Sequence, residues 1–217
     1  MTRTHTDNAH TTGAKALWAA AVASLAALVM MVVPALGYAK APVHFGAKLD
    51  PTVQPSNSLP AHPCNQLSPG TTCTMIENDA YGRAGVERAP KSGTIKRIRL
   101  VAGGPGSFKL QIAEVKQSTL HGANKARVVR NGPTISYQGQ DQSNWDSDRY
   151  RVESFPVNVP VHRGQYLALR GKYTSMVRCS SGGDNTLIYQ PALLAGGGFR
   201  SASDTDGCWL LMEAVIR

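Results

Sequence analysis

The chain carries none of the short motifs that mark the commoner enzyme chemistries: no GxSxG elbow, no Walker A loop, no GxGxxG opening a helix, no CxxC and no HxH or HExxH pair. Activated-serine, phosphate-cradling and zinc chemistry therefore have no local signature. Triads assembled from distant residues are recognised by geometry alone and stay open. Aromatic residues are scarce, at 6% of the chain. None interleaves with the basic strand residues discussed below, which argues against specific single-strand nucleic-acid recognition. Beyond the first 40 residues no run shows convincing helical spacing.

One long apolar run is present. Ala16 to Leu36 is uncharged and follows a polar stretch carrying Arg3 and Lys15, with Pro34 near its end and small residues at Gly37 and Ala39. A positive start, an apolar middle and a small-residue exit are the marks of a secretory signal peptide, here a helix cut after Ala39, with Ala41 as second choice. A retained anchor is the alternative, since about 20 apolar residues span a bilayer. Membrane association is expected only through this segment if it is left uncleaved.

Removing the leader leaves 178 of 217 residues, enough for one core. Arg3, Lys15 and Asp7 leave with it, so the 23 basic and 14 acidic residues become 21 and 13, a net charge of +8. Such a surface is drawn to anionic polymers by a force that salt screens. All four cysteines, Cys64, Cys73, Cys179 and Cys208, follow the leader. An even number in an exported chain points to disulfides, and of the three pairings Cys64 with Cys73 and Cys179 with Cys208 is favoured because each brackets a turn-rich excursion.

Residues 40–63 hold five prolines and few large apolar residues, and read as a Pro-rich linker. From residue 64 to 217 the dominant period is two. Phe108, Leu110 and Ile112 alternate with Lys109, Gln111 and Ala113. Thr94 to Val101 is the expected hairpin partner, across the turn AGGPGS. Pro156 and Pro160 remove ladder donors from the strand expected at Tyr150 to Val159, so it lies at an edge or ends there, and Tyr166 to Leu169 should cross the middle of a sheet. The pattern predicts an all-β fold of two packed antiparallel sheets, a jelly-roll-like sandwich.

The order SGTIKRIRLVAG, FKLQIAEV, then FPVNVPVHRGQYLALRG resembles a group of exported actinobacterial β-sandwich proteins of unassigned function, similar in pattern to jelly-roll carbohydrate-binding modules. The resemblance covers about residues 88–217 and rests on turns and strands rather than on chemistry. Gln165 stands where such a turn usually has aspartate.

Four constellations are candidates for function. In DQSNWDSD, Asn144, Asp146 and Asp148 sit at alternate positions and offer oxygen ligands to Ca²⁺, although the glycine and glutamate of a complete calcium loop are missing, so a solvated Asx-turn competes with that reading. No other metal or cofactor is implied. A second acidic loop at Asp204, Asp206 and Gly207 is a weaker version of the same pattern. Trp145, flanked by Tyr137 and Tyr150, suits a sugar-stacking platform, although a loop tryptophan in a small sandwich more often folds back as a lid on the core. Arg97, Arg99 and Lys109 are expected to share the outward face of one hairpin and so to form a polyanion contact.

The expectation is thus a secreted or cell-surface, non-catalytic binding module for an extracellular glycan or anionic wall polymer. A structural or protein-interaction domain is the alternative, and a small hydrolase pairing Asp146 or Asp148 with Glu153 is a third reading.

Overall fold

The computed structural model describes residues 41–49, 71–78, 86–117, 124–139, 151–172 and 179–217, with backbone alone for 179–185 and 206–209. The leader lies outside these residues. Every regular element described is a strand: β1 (Val43–Gly46), β2 (Cys73–Glu77), β3 (Gly93–Leu100), β4 (Gly106–Lys116), β5 (Lys125–Tyr137), β6 (Glu153–Val161), β7 (Tyr166–Gly171), β8 (Cys179–Tyr189), β9 (Arg200–Ser201), β10 (Asp204–Leu210) and β11 (Met212–Ile216). They form two antiparallel sheets: a small one in the order β1-β11-β3-β6, and a large one in the order β10-β8-β2-β7-β4-β5-β9 that curls as a half-barrel.

The alternation read from the sequence fixes which side chains turn inward. Phe108, Leu110 and Ile112 of β4 meet Ile95, Ile98 and Leu100 of β3 in one buried cluster. Leu210, Met212, Ala214 and Ile216 join that same cluster although they straddle two strands in different sheets. The chain changes sheets at Leu211, whose carbonyl accepts from Val101 N at 3.0 Å. Strand β6 is an edge, as Pro156 and Pro160 require, and β7 is the middle strand of the large sheet.

The expected hairpin between β3 and β4 does not form. β3 pairs with β11 and β6, whereas β4 pairs with β5 and β7. The AGGPGS segment crosses from one sheet to the other instead. Alternating polarity determines the face a strand buries and leaves its hydrogen-bonded neighbour open, and glycine with proline serves an inter-sheet crossing as well as a tight turn.

Val43–Gly46, inside the stretch read as a linker, is strand β1, paired to β11 from Val43↔Ile216 to Gly46↔Glu213. Phe45 supplies the apolar anchor, being buried in the main cluster. The sandwich therefore recruits chain well before residue 64.

A second apolar cluster lies on the other face of the large sheet. Ile76, Ala113, Val128, Ala168, Leu187 and Tyr189 gather there with Leu193. Leu193 belongs to residues 190–199, which leave β8 and reach β5, where Gly196 N donates to Val128 O at 3.0 Å. This flap covers part of the outer face, so the middle strands are buried on both sides. That is why YLALR reads as a nearly continuous apolar run rather than a strict alternation.

Candidate functional site: a basic cleft beside the flap

The cross-strand register places one row of residues across the outer face of the large sheet. Tyr189, Thr74, Arg170, Lys109 and Thr134 stand opposite one another in turn on β8, β2, β7, β4 and β5. Lys109 and Arg170 are thus a directly opposed pair of like charges, an arrangement that costs stability unless an anion sits between them. Among the described residues no ion pair engages Lys109, Arg170 or the nearby Lys172. The three line a cleft of about 630 Å³ together with hydroxyls from Ser107, Thr134 and Ser136 and the amide of Asn131.

The next row down holds the cleft's support. Gln111 is fully buried, and its Nε2 donates to Asn131 Oδ1 at 2.9 Å and to Leu193 O at 3.3 Å. Its Oε1 accepts from the Thr74 hydroxyl at 3.0 Å, and that hydroxyl accepts from Leu193 N at 3.0 Å. Both amide protons and the hydroxyl are therefore used. The network orients Asn131 toward the cleft and ties the flap to the sheet in one stroke, which is the behaviour expected of a fully satisfied buried polar cluster.

The flap's base is held separately. Arg200 donates to Pro191 O at 2.9 Å and to Gln190 O at 3.3 Å, and the Gln190 amide bonds the Thr71 hydroxyl. Phe199 lies under two cations, with Lys116 Nζ at 4.2 Å and the Arg127 guanidinium at 4.8 Å from its ring centre. Between flap and sheet opens a second cleft, about 790 Å³, mostly apolar, and it shares Thr72 and Arg170 with the first.

The residues singled out from the sequence fare unequally. Arg97 and Arg99 lie on β3 in the small sheet and Lys109 on β4 in the large one, so the expected three-residue patch does not exist. Arg99 is instead bound to Glu213 at 2.5 Å, and Glu213 also meets His44 Nδ1 at 3.0 Å. Tyr137 is 2% exposed and packs on Phe108 at 6.1 Å between ring centres, so it offers no face to a sugar. Burial, with the Glu153 carboxylate as a lesser cause, pushes its hydroxyl well above the ordinary tyrosine value. Asn144, Trp145, Asp146, Asp148 and Tyr150 lie outside the described residues. Asp204, Asp206 and Gly207 belong to strand β10 rather than to a loop, and Asp204 Oδ1 accepts from Thr205 N. Glu153 accepts backbone donors at both carboxylate oxygens, Gln138 N at 3.2 Å and Gly139 N at 2.6 Å, and so clamps the segment that follows β5.

Arg170, Lys172, Asn131 and the Gln111 network were not anticipated. Lys109 was, but Arg170 lies far along the chain, and only the β4–β7 register joins them. The arrangement defines a two-sheet β-sandwich with a cationic, hydroxyl-lined cleft on one outer face. No protein-family model, curated protein or solved structure matches the chain.

Proposed function

We propose that this protein is an exported, non-catalytic binding module that captures an anionic extracellular polymer, most simply an acidic glycan or wall polymer, in the Lys109–Arg170–Lys172 cleft. The observation that carries the reading is the opposed Lys109–Arg170 pair without a carboxylate partner among the described residues. Fixed cations that repel each other in the free protein are relieved by a bound anion. Serine, threonine and asparagine side chains around them supply donors and acceptors for sugar hydroxyls.

The wider reading joins to it the signal-like leader, cut after Ala39, and a jelly-roll-like arrangement of the two sheets. It also includes disulfides Cys64–Cys73 and Cys179–Cys208. No free cysteine occurs among the described residues, and the β8–β10 register sets Cys208 opposite Ser181 and Cys179 opposite Leu210, one diagonal step apart.

Affinity electrophoresis in polygalacturonate, with dextran as the neutral control, tests the proposal. Retardation should occur only in the acidic gel and fall with salt. Lys109→Glu with Arg170→Glu should weaken it at least tenfold, whereas Lys96→Glu with Arg97→Glu, an equal charge change on the opposite sheet, should leave it nearly intact. Equal loss from both changes would mean that net charge, and not the cleft, holds the polymer.

A further inference from the structure

The cationic cleft does not end at Arg170. That residue and Thr72 also line the apolar cleft beneath the flap, so the two spaces meet along one side chain. The apolar space is walled by Pro191, Ala192, Leu193, Leu194 and Phe199. Its volume, about 790 Å³, falls within the usual range for small-molecule sites. Its second guanidinium, Arg200, is already committed to the carbonyls of Gln190 and Pro191, which leaves Arg170 as the cation able to meet a ligand at the junction. Leu194, which lines the same space, is 63% exposed.

We infer that this face also takes a single-chain anionic amphiphile: a phosphate or carboxylate held by Lys109, Arg170 and Lys172, with an adjoining alkyl chain lying under the flap. The inference rests on the cleft reading above and adds a second ligand class at the same cations. An apolar chain alone would leave the cations unanswered, and a bare anion would leave the space under the flap filled by water against apolar walls. The flap is suited to admit a chain. It is fixed at its base by Arg200, at Leu193 by the Gln111–Thr74 network and at Gly196 by Val128 O on β5, while the residues from Leu194 to Gly198 remain exposed.

Calorimetry below the critical micelle concentration, using the purified protein, separates the possibilities. Dodecyl phosphate should bind at least tenfold more tightly than butyl phosphate, since each buried methylene contributes about fourfold, and at least tenfold more tightly than the uncharged dodecyl maltoside. Ala192→Trp, which fills the apolar space, should abolish the chain-length gain while polygalacturonate binding persists. Leu194→Ser, at an exposed position that does not support the core, should reduce the gain severalfold and provides the same readout if the tryptophan variant fails to fold. Equal affinity for the two phosphates, with polygalacturonate still bound, overturns the amphiphile and leaves the cleft reading standing. Failure of every anion to bind overturns both. Co-sedimentation with phosphatidylglycerol vesicles, lost in Leu194→Ser, would make the flap a membrane-docking surface and likewise overturn the single-chain ligand.

Discussion

Lys109 and Arg170 face each other directly across strands β4 and β7, two cations in one register position on one of the two central pairings of the large sheet. A folded protein that keeps such a pair gives up stability for it. Arg170→Gln should therefore raise stability by about 0.2–1 kcal/mol at low ionic strength, the range for cross-strand pairs, while weakening anion binding. In high salt the gain should shrink. Urea unfolding of both forms at two salt concentrations measures this, and a loss of stability at low salt would show that the pair is not repulsive.

Gln111 stands at the centre of the only route by which the sheet grips residue Leu193 through hydrogen bonds among the described residues. Gln111→Met keeps the bulk but leaves the Thr74 hydroxyl without its acceptor and Leu193 O without this donor. The expected cost is about 2 kcal/mol, within the penalty for stranding buried polar groups. Thr74→Val should cost a similar amount, and the double variant less than the sum, because one network is being removed once. Additive losses in denaturant titrations would show that the two residues act independently.

On the small sheet Glu213 is the hub. Its two oxygens meet Arg99 and His44 from the strands on either side, and its side chain is largely buried. Glu213→Ala removes the hub and leaves Arg99, itself only part-exposed, without its carboxylate. Unfolding free energy should fall by about 1–3 kcal/mol, and the polygalacturonate interaction should not change. A selective loss of polymer binding in this variant would move the functional surface to the small sheet.

Much of this architecture was legible before any coordinates. Period-two alternation gave the inward-facing set Phe108, Leu110 and Ile112 on β4, and prolines 156 and 160 marked an edge strand. Pairing was not legible, because a strand's own sequence states its face and not its neighbour. The β3–β4 hairpin and the Arg97–Arg99–Lys109 patch failed together for that reason. The double burial of the large sheet was hinted at by the unbroken YLAL run, but what covers its far face, residues 190–199, is irregular chain with no period to read. Arg170 escaped notice because it ends an apolar strand and meets Lys109 only through long-range register.

The backbones of Gly139 and Gly104 lie close together. Gly139 has φ +67°, and a Cβ there would lie 2.2 Å from Gly104 O. Gly139→Ala therefore meets both backbone strain and a collision, and the Glu153 clamp that holds Gly139 N would have to open. A destabilisation of more than about 1 kcal/mol is expected. Gly164 also has positive φ, at +86°, but nothing lies near its Cβ position. Gly164→Ala should then show the conformational cost alone and be the milder change, and the reverse order in thermal melts would contradict the packing described.

Tyr137, Tyr166 and Tyr189 all have hydroxyl pKa values raised from the ordinary value of 10.0, in each case chiefly by burial. The Glu153 carboxylate adds to the effect at Tyr137, and Glu87 at Tyr166. For a group whose folded pKa exceeds its unfolded value, the stabilising preference is fully present below the unfolded pKa and is lost as pH climbs toward the folded one. Above about pH 10 the unfolded chain sheds protons that the folded chain keeps. Each tyrosine then lowers the unfolding free energy by up to about 1.4 kcal/mol per pH unit. With three such residues the stability curve should be flat on this account at neutral pH and fall steeply above pH 10. Absorbance at 295 nm should show these three tyrosines ionising only together with the loss of near-ultraviolet circular dichroism. Gradual ionisation with the tertiary signal intact would mean that the rings are reached by solvent in the folded protein. Tyr189→Phe deletes one titrating group and its 3.4 Å bond to Asn124 O. It should make the alkaline fall shallower by about one third, a change in slope that a mere loss of packing would not produce.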